Sequence, residues 1–290
     1  MIVSFHPIYE GDHHRLCAGR DPDAEDLAAI KRATAVILPQ GCRASLYRAA
    51  TRYCNRVFPD YAARFAYPGK QGQSRLFQQA KVPHPQSFCY PDTATFFRQH
   101  PTSGSPVSPP AVFKLDWGGE GDGVFPIMHD RDMTAVLKRL QDFETTGQKG
   151  FILQQWIPTG ARSLRVVVTG HQLHSYWRVM PSDSPLIASL SKGGTIDRTS
   201  DHHLIAAAEA ATRAFCRHTG INLAGFDFLF STDPTVADPT TPLFLEINFF
   251  FGRRGLGGSA VYYQRLLHAI DHWLENDNAT LQPTGRETIA

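Results

Sequence analysis

Gly225-Phe226-Asp227-Phe228-Leu229-Phe230 and Leu243-Phe244-Leu245-Glu246-Ile247-Asn248 are two short strand-like runs, each with an acidic residue inside apolar sequence. Successive strand side chains point to opposite faces, so Glu246 and Asn248 share one face and Leu243, Leu245 and Ile247 take the other. Asp227 interrupts Phe226, Phe228 and Phe230 in the same way. The connection from Ser231 to Thr241 contains two prolines and no helical period, which predicts an antiparallel hairpin. Two carboxylates and an amide oxygen then converge. That donor set suits a hard cation such as magnesium, which keeps waters and is usually shared with a nucleotide's phosphates. A buried carboxylate satisfied by an arginine explains the same pattern, and the two runs by themselves leave both readings open.

Working outward, the 290 residues, 42% hydrophobic and 19% charged, suffice for one large unit or two to three lobes. A net charge of +2 with no basic run gives no electrostatic reason for nucleic-acid binding, so the expected partners are small molecules. Cys17, Cys42, Cys54, Cys89 and Cys216 are odd in number, widely spaced and free of Cys-x-x-Cys pairs, which argues against a disulfide framework and a thiolate zinc site. Reduced, buried thiols are expected. The start Met1-Ile2-Val3-Ser4-Phe5-His6-Pro7 lacks a basic segment and a long apolar run, and nothing approaches a membrane-spanning length. A cytoplasmic protein with no membrane partner is the expectation, and the oligomeric state stays open, with a homodimer one option.

The N-terminal part reads as a small α/β unit: strand Ile2 to Phe5, helix Asp23 to Ala33, strand Ala35 to Leu38, helix from about Ser45 to Cys54. Ligands of open α/β sheets sit beyond the carboxyl ends of strands, so Gln40, Gly41 and the stretch Glu10 to His14 are candidates to face a substrate, although they also read as ordinary strand-to-helix turns. Asp12, His13 and His14 do not form a sensible metal cluster, because adjacent histidines point apart. Further on, the pattern predicts a helix Lys70 to Ala80, a loop Thr102 to Pro110, a strand Ala111 to Leu115, a helix Asp130 to Thr145, strands Gly150 to Trp156, Ser163 to Thr169 and Gln172 to Val179, and helices His203 to Thr219 and Val261 to Glu275.

After the strand carrying Lys114 comes Trp117-Gly118-Gly119-Glu120-Gly121-Asp122-Gly123, a glycine-rich hairpin whose amides can approach a polyphosphate because no Cβ intervenes. It lacks the spacing of a Walker A loop or a dinucleotide-binding fingerprint, and a flexible surface hairpin would look the same. Order along the chain adds the discriminating information. Lys70, Lys114 with its loop, Gln154-Gln155-Trp156-Ile157, Arg165, Arg178, Lys192-Gly193-Gly194, Asp227 and Glu246-Ile247-Asn248 together resemble the ATP-grasp superfamily of carboxylate-amine ligases. The match is nearest to the branch holding glutathione synthetase and the ligases that add glutamate to a ribosomal protein. It runs from about Tyr67 to Ser259.

The resemblance implies an α/β chain of α+β lobes in the ATP-grasp fold: a short N-terminal α/β pre-grasp domain (1–68), a first lobe with the glycine-rich loop (69–156), a second lobe with the metal site (157–275) and a polar tail (276–290). By the same resemblance Lys70 and Lys114 neutralise ATP phosphates, Gly118, Gly119, Glu120, Gly121 and Gly123 fold over them, and Gln154, Gln155, Trp156 and Ile157 receive adenine. Ser163 stands where the family has an aspartate for the ribose, and Gln155 where it often has glutamate. Arg178 and Lys192, with Arg165, would serve the reacting centre, and Asp227, Glu246 and Asn248 match the ligands of two magnesium ions, with manganese as an alternative. Arg253 and Arg254 could grip an acceptor carboxylate, or form a solvated basic loop, and Phe249-Phe250-Phe251 stands where the family has smaller residues.

The implied reaction is ligation: a carboxylate attacks the γ-phosphate of ATP, and an amine or amino acid displaces phosphate from the acyl phosphate. Alternatives on the same scaffold are a small-molecule kinase and a nucleotide-binding protein without turnover.

Overall fold

A computed structural model describes residues 1–17, 19–101, 105–118, 121–181 and 193–276. They form three sheets. In the first, β1 (Ile2–Ser4), β2 (His13–His14), β3 (Ala35–Ile37) and β4 (Val57–Phe58) pair in parallel in the order β2-β1-β3-β4. Helices α1 (Ala24–Arg32) and α2 (Ala44–Tyr53) make the connections from β2 to β3 and from β3 to β4, and α3 (Ala62–Ala66) follows β4. α1 starts at a capping box, with the Asp23 side chain accepting from Asp26 N at 2.8 Å and Asp26 accepting from Asp23 N at 3.0 Å.

α4 (Gly69–Gln79) leads into the second sheet, which comprises β5 (Ser87–Tyr90), β6 (Ala111–Leu115), β7 (Val124–Ile127) and β8 (Phe151–Gln155). Its order is β5-β8-β6-β7, antiparallel throughout. Strand alternation divides its two faces. Phe113, Leu115, Phe151 and Leu153 enter a core with α5 (Thr93–Gln99) and α6 (Asp130–Thr145), while Ser87, Lys114, Ile152 and Gln154 turn toward α4. β7 contains Pro126, tolerated because this is an edge strand whose proline needs no ladder donor.

The third sheet holds β9 (Arg162–Thr169), β10 (Gln172–Val179), β11 (Thr195–Asp197), β12 (Leu223–Leu229) and β13 (Leu243–Asn248) in the order β11-β10-β9-β12-β13, again antiparallel. α7 (His202–Thr219) packs Phe215 with Phe226 and Phe244 on one face, joined by Phe77 from α4. α8 (Ser259–Glu275) covers part of the other face, where Tyr262, Leu266 and Ile270 meet Val167, Tyr176 and Leu223. Ser163, Arg165, Arg178 and Asp227 lie on that second face outside the apolar cluster under α8. A polar site forms where the helix cover ends.

Most predicted elements agree with the structure to within one or two residues at their ends. The short strands β5 and β7 and helices α3 and α5 carry no distinct sequence period and were not predicted. The predicted alternation of side chains along Leu243–Asn248 requires correction. The pairing of β12 with β13 is antiparallel as expected, but Glu246 sits opposite Asp227 and Phe244 opposite Phe228, so Leu245 is the extra residue of a bulge. Strict alternation fails there. Phe244 and Ile247 both reach the core, whereas Leu245 and Glu246 both line the cleft.

Candidate functional site

Between α4, the inner face of the second sheet and β13 lies a pocket lined by Lys70, Gln73, Ser74, Phe77, His84, Ser87, Lys114, Ile152, Gln154, Leu245 and Glu246. α4 is positioned for this by tertiary contacts. Its N-cap, Pro68, makes no side-chain cap, and instead Asp116 at the end of β6 accepts from Gln71 N at 2.8 Å. Gly69 is required beside it, since a Cβ there would stand 2.5 Å from an Asp116 oxygen. At the other edge, the Gln73 amide donates to Ile247 O and accepts from Ile247 N, both at 2.8 Å. Phe244 N donates to Pro83 O at 2.8 Å, so the free edge of β13 is covered by α4 and the segment that follows it.

Lys70 Nζ lies 3.4 Å from Gly118 O, which ties the start of α4 to the glycine-rich hairpin. Gly118 and Gly121 have φ of +84° and +82°, conformations that glycine adopts without penalty. Gly123 sits tightly, its missing Cβ 3.0 Å from Leu115 Cβ. Gly119 and Glu120 lie outside the described residues, as does Lys192. Lys114 is buried. Burial pulls its pKa down to about 8 and Lys70 adds to the effect, against the opposing charges of Glu246 and Asp227.

Of the two predicted base-reading glutamines, Gln154 faces the pocket and Gln155 does not. Alternation puts Gln155 on the other side, exposed, and its backbone N–H is committed to Gln86 O at 2.8 Å. Trp156 and Ile157 are half-buried just beyond β8. Ser163, expected at the ribose, serves another side chain: as the cross-strand neighbour of Arg178 it accepts from Arg178 Nη2 at 2.9 Å and Nε at 3.2 Å.

Asp227 is the centre of the polar site, buried and opposite Arg165 on β9. Its Oδ1 accepts from Arg165 Nε and, at 2.8 Å, from Arg178 Nη2; its Oδ2 accepts from Arg165 Nη2 at 2.9 Å and from Asn248 Nδ2 at 3.0 Å. Burial alone would raise its pKa, but the two guanidinium groups outweigh that and hold the carboxyl below the ordinary carboxylate range. A carboxylate has about four lone-pair positions, and all are used. The arginine-satisfied reading therefore describes Asp227 in this arrangement.

Glu246 makes no hydrogen bond or ion pair with side chains among the described residues, and Asn248 turns its NH2 to Asp227, which leaves its oxygen as a donor atom. Those two groups fit a hard cation such as magnesium; Asp227 would have to release an arginine or the asparagine to join them.

Arg253 donates to Tyr263 Oη at 2.6 Å and stacks over the Tyr262 and Tyr263 rings, while Arg254 is exposed on the 3-10 turn Arg254–Leu256. Phe249 and Phe251 are core residues, so only Phe250, 60% exposed, remains to meet a ligand; it lies under the Arg64 guanidinium. Gln40 and Gly41 dock onto this loop, the former through Gln40 Nε2 to Phe249 O at 2.9 Å. Sequence reasoning missed Gln73, Asp116, His84 and Ser87, because each is one polar residue among others, on the polar helix α4 or at the end of a strand, with no spacing that marks it.

No family model matches the sequence, and no curated protein is significantly similar to it in sequence. Solved structures are similar in fold. A RimK domain protein ATP-grasp from Sphaerobacter thermophilus superimposes over 83% of this chain and 81% of its own, with a TM-score of 0.57 and 17% identity. The VanG D-Ala:D-Ser ligase from Enterococcus faecalis aligns over 83% of this chain and 73% of its own at TM-score 0.57 and 13% identity. N5-carboxyaminoimidazole synthetase from Staphylococcus aureus, complexed with ADP, aligns over 87% of this chain at TM-score 0.59 and 10% identity. The chain spans 64% of that protein's length. It has the ATP-grasp fold, an α/β architecture of α+β lobes.

Proposed function

We propose that the chain is an ATP-dependent carboxylate-amine ligase, which activates a small carboxylate as an acyl phosphate and passes it to an amine or amino acid, releasing ADP and phosphate. The observation that carries this reading is the joint lining of one pocket by Lys70, Lys114 and Gln154 from the first lobe and Glu246 from the second. Two lysines oppose a polyphosphate, a buried glutamine meets a base, and an acidic side chain stands at the far end. The fold of ligases such as VanG agrees with it.

In this reading Lys70 and Lys114 hold the phosphates, and Gly118, Gly119, Glu120, Gly121 and Gly123 are assigned to them by resemblance. Arg178 is fixed on two sides by Ser163 and Asp227, so its charge needs no reorganisation when negative charge develops on the acyl phosphate and the tetrahedral oxyanion. Arg165 orders Asp227, and Lys192 is assigned the neighbouring phosphate by resemblance alone. Glu246 and Asn248, with Asp227 after exchange of a donor, would hold magnesium, which would supply positive charge to offset that of the phosphates. Arg253 and Arg254 remain the proposed acceptor contacts, and the division at residues 68 and 156 follows the same reading.

The test is product analysis with a panel of amino acids and small carboxylates, with and without an amine. ADP and phosphate that require both substrates identify a ligase. A phosphorylated product from one substrate identifies the kinase alternative, and ATP binding with no turnover across the panel overturns both.

A further inference from the structure

Ser87 and Gln154 are direct cross-strand partners on β5 and β8, and both line the pocket. Their hydrogen bonds have an unavoidable direction. Ser87 Oγ lies 2.8 Å from Pro85 O, and a carbonyl can only accept, so the single hydroxyl hydrogen is spent there. Toward Gln154 Ser87 can then only accept, which forces the glutamine to offer its NH2 group: Gln154 Nε2 to Ser87 Oγ is 2.8 Å. The Gln154 oxygen is left as the free, acceptor end of the amide. His84 repeats the pattern, because Nδ1 lies 2.7 Å from Val82 O and must carry the proton, which makes Nε2 of the neutral ring an acceptor. On the β5–β8 side of the pocket Gln154 and His84 therefore both present acceptors, which favours a base that offers an amino group there; the unpartnered Ser74 hydroxyl belongs to the α4 side.

Resting on the nucleotide-site reading above, we propose that Ser87 is a positioning residue for nucleobase selection: it locks the Gln154 amide with its oxygen toward the base, so that adenine, whose N6 amino group donates, is taken and guanine, whose O6 can only accept, is refused. An acceptor facing an acceptor inside a buried pocket leaves both unsatisfied, a larger loss than a missing bond. Without the Ser87 hydroxyl the amide is free to rotate and offer NH2 to O6.

Calorimetric titration of ATP and of GTP into the intact chain, its Ser87→Ala variant and its Ser87→Thr variant tests this. The wild-type chain is expected to bind ATP about tenfold or more tighter than GTP. Ser87→Ala should bring the two within about threefold, chiefly by a gain for GTP, and Ser87→Thr, which keeps the hydroxyl, should retain the wild-type ratio. A merely structural serine would weaken both nucleotides together, and an unchanged ATP to GTP ratio in Ser87→Ala overturns the proposal while leaving the nucleotide site intact. Equal wild-type affinities overturn it too. Binding of neither nucleotide by the wild-type chain sinks the nucleotide-site reading itself and the proposal with it. Should Ser87→Ala fail to fold, the near-isosteric pair Ser87→Val and Ser87→Thr makes the same comparison on a strand that suits both side chains.

Discussion

Lys114 concentrates the chemistry of this molecule at the scale of one residue. Its ammonium is enclosed on β6 with a pKa drawn down to about 8, chiefly by burial. The unfolded value is about 10.4, so below pH 8 the folded chain carries a buried charge that destabilises it, and stability from this group rises with pH between about 8 and about 10.4. A bound polyphosphate reverses the preference by stabilising the charged form. Under the proposed role, ATP affinity is therefore flat below about pH 8 and falls above it, by up to about tenfold per unit, until the pKa of the complex is passed. Calorimetry from pH 7 to 9.5 measures this, and Lys114→Met should bind more weakly with no such dependence. Matching slopes for the two proteins would exclude Lys114 from the phosphates.

Asp227 illustrates a different residue-scale point. Its carboxylate looks from the sequence like a metal ligand, yet the register of β9, β12 and β10 surrounds it with Arg165 and Arg178. Its contribution here is to fix cations.

Among elements, α4 and β13 matter most, because their contact holds the lysine-bearing and acid-bearing walls of the pocket together. Gln73 pairs with both the N–H and the C=O of Ile247, on the side of β13 that has no neighbouring strand. Gln73→Leu keeps the volume and removes both bonds, leaving partly buried backbone groups unpaired. The expected loss is about 1–3 kcal/mol, seen as a lower urea midpoint at unchanged slope. The same variant should release the Ile247 amide to hydrogen exchange, and wild-type protection there would show that α4 does not secure the strand. The Leu245 bulge belongs to this scale too, since it is what lets Glu246 and Leu245 both face the pocket while Phe244 anchors the strand in the core.

Across the whole molecule, one core cluster runs without interruption from the N-terminal sheet into the third sheet, through residues such as Val36, Tyr61, Phe77, Phe226 and Phe249. The carboxyl end of β1 and the loop after β13 meet at His6, which is 5% exposed. Burial first, then Arg253 and His14, lower its pKa to about 4. The unfolded value is near 6.5, so between those limits the unfolded chain takes up a proton that the folded chain refuses. Stability from His6 is complete above about pH 6.5 and is lost as pH falls toward 4, by ~3 kcal/mol. Urea unfolding at pH 7 and pH 4.5 should give a smaller difference for His6→Gln than for the wild-type chain; identical differences would mean that His6 titrates normally. Among the described residues no helix is long and apolar enough to cross a membrane, and the five cysteines are free thiols, four of them buried.

Resemblance to a known family singled out Lys70, Lys114 and Gln154 of the pocket, whereas local sequence by itself determined the order of most helices and strands and the antiparallel pairing of the acidic hairpin. Those features follow from hydrophobic period, proline and glycine placement, and charges set among apolar residues, all written in local sequence. Only the tertiary structure decided which of two adjacent glutamines enters the pocket, that Ser163 answers to Arg178, that Asp227 is saturated by arginines, and that Asp116 caps α4 from 45 residues away. Side-chain direction depends on register and bulges, and hydrogen-bond partners depend on which strands lie side by side. Neither is encoded by spacing along one segment, because each is a property of two segments brought together.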